Sequence, residues 1–249
     1  MTLTHRLVVL SGPSCVGKSP LHRALARLYP ELEQRLQKLV LYNSRHPRPG
    51  ERDGVAYHFR RRDEIKLLGR DKRYVVLEVR GDLQALDLEE VERLLSFGDV
   101  FFEGNPFVGE LLCTHPRLAD LPRLSVFVSP LSRAEISELR NPDRHVNLEA
   151  LVTDLMRRKL LRRTRRQKGE LALSDLEDIR RRAGSAYREL RTACRFDHVL
   201  CNHDGEDSDH WDAFYYPLGD ARRVLLAFAD LLQGNVPAEV EQWETDLIP

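Results

Sequence analysis

The sequence predicts an α/β fold, a core of parallel strands flanked by helices and built on a P-loop. Three observations carry that prediction. The apolar run Val8-Val9-Leu10 leads straight into Gly12-Pro13-Ser14-Cys15-Val16-Gly17-Lys18-Ser19, a Gly-x-x-x-x-Gly-Lys-Ser pattern. Leu21, Leu25 and Leu28 then recur at helical spacing, so strand, glycine-bounded loop and helix follow in the order a phosphate-binding loop requires. Further strand-like runs at 75–78, 99–105, 124–130 and 196–201 alternate with helical stretches.

At 249 residues the chain can bury a full core, and an apolar content of 42% argues against disorder throughout. Lysine plus arginine (39) balance aspartate plus glutamate (39), so no overall charge points to nucleic acid or an anionic membrane. No apolar run approaches the ~20 residues of a bilayer span. The amino terminus lacks a signal peptide's apolar stretch, and the cytoplasm is the expected compartment. Four cysteines, Cys15, Cys113, Cys194 and Cys201, form no CxxC pair, which fits reduced thiols. Cys194, His198, Cys201 and His203 suggest a zinc cluster, but strand alternation over 196–201 would put His198 and Cys201 on opposite faces. Ordinary packing is the expectation there.

Residues 4–10 read as a buried strand feeding the loop. Backbone N–H groups from Gly12, Ser14, Cys15, Val16 and Gly17 would wrap polyphosphate oxygens, aided by the following helix N-terminus. Lys18 would reach the outer phosphates and the Ser19 hydroxyl would ligate Mg²⁺. A chance glycine turn is the alternative, and both correct flanks count against it. Pro20 is tolerated in the first helical turn. After Pro30, Leu32, Leu36 and Leu39 read as a second helical stretch. Residues 41–59, rich in proline and glycine, read as a shaped loop carrying Arg45, Arg48 and Tyr57. Two guanidiniums and a phenol suit phosphate, although arginines in such a loop are often simply solvated.

The P-loop, a short spacer and then Ser44-Arg45-x-Pro47-Arg48-Pro49-Gly50-Glu51-x-Asp53-Gly54-x-x-Tyr57-x-Phe59 together resemble the guanylate kinase family. The resemblance implies that Arg45, Arg48 and Tyr57 hold the phosphate of an acceptor nucleotide. It continues more weakly to about residue 204. Glu78 resembles the family's guanine-contacting glutamate. Leu41 stands where the family has a serine, and Gln84-Ala85-Leu86 stand where it has Tyr-Gly-Thr, before a helix that Asp87 and Glu90 would cap. Glu103 takes the first position of the family's Asp-x-Asp, near Mg²⁺, and Asn105 takes the second, facing the acceptor. Phosphate capture is therefore expected to be intact and guanine reading altered.

Ser132 with Glu135 predicts a capping box, and Asn141-Pro142-Asp143 ends that helix. The next helical tract, from about residue 148, carries eight basic residues between Arg157 and Lys168. Alone it reads as a solvated face or a nucleic-acid contact. The resemblance makes it a lid whose arginines close over the transferring phosphate. Ser174 to Glu177 would cap the following helix, in which Arg182 is the lid-side candidate, and Asn202 is implied to touch the adenine of ATP. Residues 204–212 are acidic, 210–217 form an aromatic insert expected to pack on the core, and 219–234 read as an amphipathic helix.

The expected organisation is one domain over 1–234, with an acceptor subdomain at about 41–98 and a lid at about 141–183, then a loose acidic tail at 235–249. The expected reaction is phosphoryl transfer from ATP with Mg²⁺ to a small phosphorylated acceptor, most simply a nucleoside monophosphate. Lys18, Arg45, Arg48 and Arg182 would act by positioning and charge neutralisation. Two alternatives stay open: a sugar phosphate or modified nucleotide as acceptor, and a non-catalytic guanylate-kinase-like interaction module. The intact Lys18–Ser19 pair counts against the second.

Overall fold

A computed structural model describes residues 5–48 and 50–248; the expected strand start at Thr4, Pro49 of the arginine loop and Pro249 of the tail lie outside them. The elements run β1 (Leu7–Ser11), α1 (Lys18–Leu28), α2 (Pro30–Glu33), β2 (Leu36–Lys38), β3 (Tyr42–Asn43), β4 (His58–Phe59), α3 (Arg62–Leu68), β5 (Tyr74–Val79), β6 (Asp82–Asp87) and α4 (Leu88–Leu94). There follow β7 (Asp99–Gly104), α5 (Pro106–Thr114), β8 (Arg123–Ser129), α6 (Arg133–Leu139), α7 (Leu148–Lys168), α8 (Leu173–Leu190), β9 (His198–Cys201) and α9 (Gly219–Leu232).

The larger sheet has the order β2-β7-β1-β8-β9, with every pairing parallel. β1 lies at its centre and is buried along its whole length, as a continuous apolar strand with helices on both faces demands. β1 lies between β7 and β8, with the next strand in the chain, β2, beyond β7, so the P-loop opens at the carboxyl end of the central strand of an open parallel sheet. The smaller sheet, β4-β3-β6-β5, packs on α3 through Ile65, Leu83 and Ala85. It ends at Asp87, whose carboxylate accepts N–H bonds from Glu89 and Glu90 to cap α4. That helix buries Leu88, Val91 and Leu94 in the main core. α7 and α8 pack together as a helical hairpin.

Three local expectations change. The helix expected across Leu32, Leu36 and Leu39 divides into one turn, α2, and the edge strand β2. A free edge on β7 offered a ladder, with Leu36 opposite Asp99 and Leu39 N–H bonded to Phe101, and tertiary pairing overrode the helical spacing. The cap of α8 is displaced: the Asp175 carboxylate accepts from the Ala172 N–H, so the helix starts one residue before Ser174. The tail is packed rather than loose. Glu241 pairs with Val199 beside β9, and Trp243, Leu247 and Ile248 are buried. No helix among the described residues is long and apolar enough to cross a membrane.

Candidate active site

The P-loop conformation depends on its two glycines. Gly12 has φ +149° and a Cβ there would lie 2.3 Å from the Val128 carbonyl oxygen. Gly17, at φ +106°, would put a Cβ 2.4 Å from Asn202 Nδ2. Any other residue would push the loop off the sheet. Lys18 is buried, and its Nζ donates to the carbonyls of Gly12 (2.7 Å) and Pro13 (2.8 Å). Burial lowers its pKa, opposed by Glu206 and Glu103. Cys15 is buried with its thiol pushed up to about 12 by burial and by Glu206, so it contributes backbone rather than a nucleophile.

Ser19 Oγ donates to Glu103 Oε1 at 2.6 Å, and His22 Nδ1 lies 3.4 Å from Glu103 Oε2. Burial alone would raise the Glu103 pKa. The hydrogen bonds from His22 and Ser19 and the charge of Lys18 outweigh it and hold the carboxyl below its usual value. An ionised carboxylate beside a hydroxyl is a hard oxygen pair that fits Mg²⁺.

On the facing wall Arg45 makes two bonds of 2.6 Å to Glu51 and lies 5.1 Å from the centre of the Tyr57 ring. The Arg48 N–H donates to the same carboxylate, while its guanidinium is 3.7 Å from Asp178 of α8. The helical hairpin contributes Arg163, Arg181 and Arg182. Arg182 is 7% exposed, lies 3.4 Å from Asp178, and its Nη1 has no hydrogen-bond partner among the described residues. Burial, then Arg48 and Arg163, pull its pKa down to about 9. Together these groups line a cavity of about 430 Å³ with Lys18, Ser19 and Glu103 on one side and Arg45, Arg48 and Tyr57 on the other. The excess of cations around one partly unpaired guanidinium suits a polyanion.

Two candidates are placed differently from the expectation, and a third, Asn105, reaches the cavity with its amide already engaged. Glu78 is on the outer side of β5, bonded to Arg62 at 3.1 Å, and does not line the cavity. Strand alternation turns Val79 inward instead, and the hairpin adds Arg80, Asp82 and the buried Gln84. Asn202 is fully buried, and its Nδ2 donates to the Val16 carbonyl at 2.8 Å. It braces the P-loop rather than presenting an edge to a base. Asn105 lines the cavity, but its Oδ1 caps α5 through Phe107 N–H and its Nδ2 donates to Glu189 Oε1 at 3.1 Å.

Sequence reasoning assigned no role to the Glu189 centre. This fully buried carboxylate takes Arg80 Nε (2.7 Å), Ser185 Oγ (2.7 Å) and Asn105, tying the small sheet, α8 and β7 together. The one signal in the sequence was an arginine directly before Gly81, and the structure holds Arg80 at φ +55°. The acidic segment 204–212 also found a role. Glu206 pairs with Arg163, Asp207 with Arg162 and Asp209 with Arg166, at 2.7–2.8 Å. These pairs meet part of the basic tract's charge within the chain. Trp211 packs under the P-loop as expected, whereas Phe214, Tyr215 and Tyr216 are exposed.

Comparisons with known proteins point to one family. The family model described as guanylate kinase matches residues 4–96. A guanylate kinase of Synechococcus sp. (strain JA-3-3Ab) is 32% identical over 216 residues, covering 85% of this chain and 82% of that protein. One from Alkalilimnicola ehrlichii is 30% identical over 243 residues, covering 94% and 95%. The crystal structure of guanylate kinase from Anaplasma phagocytophilum superposes with a TM-score of 0.53 over 92% of this chain and 85% of that one; at 16% identity it shows the shared fold.

Proposed function

The chain belongs to the guanylate kinase family, and on that premise we propose that it transfers the terminal phosphoryl group of ATP to a nucleoside monophosphate. One observation carries the reading: a single cavity has a P-loop on one wall and the Arg45–Arg48–Tyr57 cluster on the other. Two phosphates held there would face each other, and an acceptor phosphate oxygen is already a competent nucleophile. Lys18 and the loop amides would hold the donor phosphates. Arg45, Arg48 and Tyr57 would hold the acceptor phosphate once it replaces Asp178 beside Arg48. Arg182, with Arg163 and Arg181, would neutralise charge developing between them. Ser19 and Glu103 would hold Mg²⁺, which supplies charge neutralisation at the donor phosphates.

Base recognition would fall to the buried Gln84 and to Asp82, with Leu41 closing the pocket apolarly. This lining favours a second reading of the acceptor, a modified nucleotide or sugar phosphate rather than GMP, because the site's polar groups must match the ligand's. Coupled ADP release across all nucleoside monophosphates and several sugar phosphates tests both. Turnover with one monophosphate supports the first reading. ATP binding without turnover on any acceptor would favour a non-catalytic module.

A further inference from the structure

We propose that Glu135, Cys201 and His203 form a binding site for a thiophilic divalent cation of the Zn²⁺ class. None of the three lines the nucleotide cavity. Their donor atoms all lie within 4.8 Å of one another. His203 Nε2 is 3.0 Å from Glu135 Oε1 and 3.6 Å from Cys201 Sγ. A tetrahedral zinc with bonds of about 2.0–2.3 Å separates its ligands by roughly 3.3–3.8 Å, so this triangle needs little adjustment. Strand alternation correctly separates Cys201 from His198. The donors come instead from the end of β9, from two residues beyond it, and from α6.

Glu135 and His203 are also held by partners outside the triangle. Glu135 Oε2 accepts the Ser132 N–H (2.7 Å) and hydroxyl (2.9 Å) as the cap of α6. His203 Nδ1 lies 2.5 Å from Asp220 Oδ2, which fixes the ring and turns Nε2 toward Glu135 and Cys201. Asp220 is itself paired with Arg223 at 3.0 Å. A carboxylate behind a histidine is the arrangement that orients imidazole ligands for metals. Sulfur and nitrogen donors select Zn²⁺ over Mg²⁺. Cation binding would release the Cys201 thiol proton and any proton on His203 Nε2 to solvent, and leave the Nδ1–H donated to Asp220. The half-exposed imidazole leaves a fourth position for water. His203 follows Asn202, the residue bracing Val16, so an occupied site would stiffen the support of the P-loop.

Co²⁺ titration of the chelator-treated full-length protein, followed by Zn²⁺ competition, decides the matter independently of kinase activity. The expected result is one equivalent of Co²⁺ with a thiolate-to-cobalt charge-transfer band that Zn²⁺ removes. The band should vanish in Cys201→Ser and persist in Cys194→Ser. Affinity should fall at least ~10-fold in His203→Ala and about 10-fold in Asp220→Asn. Cobalt at the oxygen ligands Ser19 and Glu103 would give no such band. If Cys201→Ser does not fold, His203→Ala and Glu135→Gln titrations carry the decision by the same loss of affinity. Absence of the band in the wild type, or its survival in folded Cys201→Ser, overturns the site and leaves His203 as an imidazolium bridge between Glu135 and Asp220.

Discussion

On the P-loop wall of the cavity, Lys18 rests on the carbonyls of Gly12 and Pro13, and Asn202 fixes Val16. On the facing wall, Arg45 and Arg48 are held by carboxylates, Glu51 from their own loop and Asp178 from α8. The first wall is shaped by backbone, with two glycines whose conformation no other residue adopts freely. The second is shaped by ion pairs, which on the proposed function an incoming phosphate would rearrange. On the proposed function, a preformed donor site would lie beside an adjustable acceptor site, as suits an enzyme in which one substrate is constant and the other must trigger alignment.

Substitutions should separate the two walls, with the largest effect on the first. Lys18→Ala should lower kcat by about 10²–10³-fold, as loss of a transition-state donor does, without change in circular dichroism. Wild-type turnover in that variant would remove the P-loop from the chemistry. Arg182→Met should lower kcat/KM by about 100-fold. It should also leave Tm unchanged or raise it, because it removes a buried cation that crowds Arg48 and Arg163. A clear fall in Tm would show that Arg182 is structural instead.

Glu103→Gln should raise the Mg²⁺ concentration needed for half-maximal rate about 10-fold. It also has a pH signature. The Glu103 pKa in the folded protein lies below its ordinary 4.5, so its stabilisation is fully present above pH 4.5 and is lost as pH falls through the lower folded value. Acid unfolding of Glu103→Gln should accordingly lack that part of the transition; a curve matching the wild type would mean Glu103 is not held ionised. The smallest effects test base recognition. Gln84→Ala should raise the acceptor KM about five- to ten-fold, the scale of one hydrogen bond. Glu78→Ala, on the outer face, should stay within about two-fold. Reversed magnitudes would return base reading to Glu78.

The same contrast explains what was legible in the sequence. The donor wall is local: eight consecutive residues and their flanking strand and helix specify it, so Gly12 to Ser19 could be read directly. Arg45, Arg48 and Tyr57 were open from their loop alone, and only its resemblance to the guanylate kinase family gave them an expected role. Glu78 was misplaced because a single residue of register on β5 decides which face a side chain takes. Asn202 was expected at the adenine, but its bond runs to the P-loop, a partner 186 residues away. The pairing of 204–212 with α7 and the Glu189 centre join segments far apart in the chain, and no local pattern encodes such contacts. The packed tail went unread for the same reason, since its strand partner β9 ends some 40 residues earlier.

The central claim is that one cavity holds two phosphates at once, and binding of a dinucleoside polyphosphate bearing adenosine at one end tests it most directly. By calorimetry it should bind at least ~10-fold more tightly than ATP, because the second half binds intramolecularly. That advantage should disappear in Arg45→Ala, and nearly all binding should disappear in Lys18→Ala. Affinity equal to that of ATP and indifferent to Arg45→Ala would contradict the two-site account.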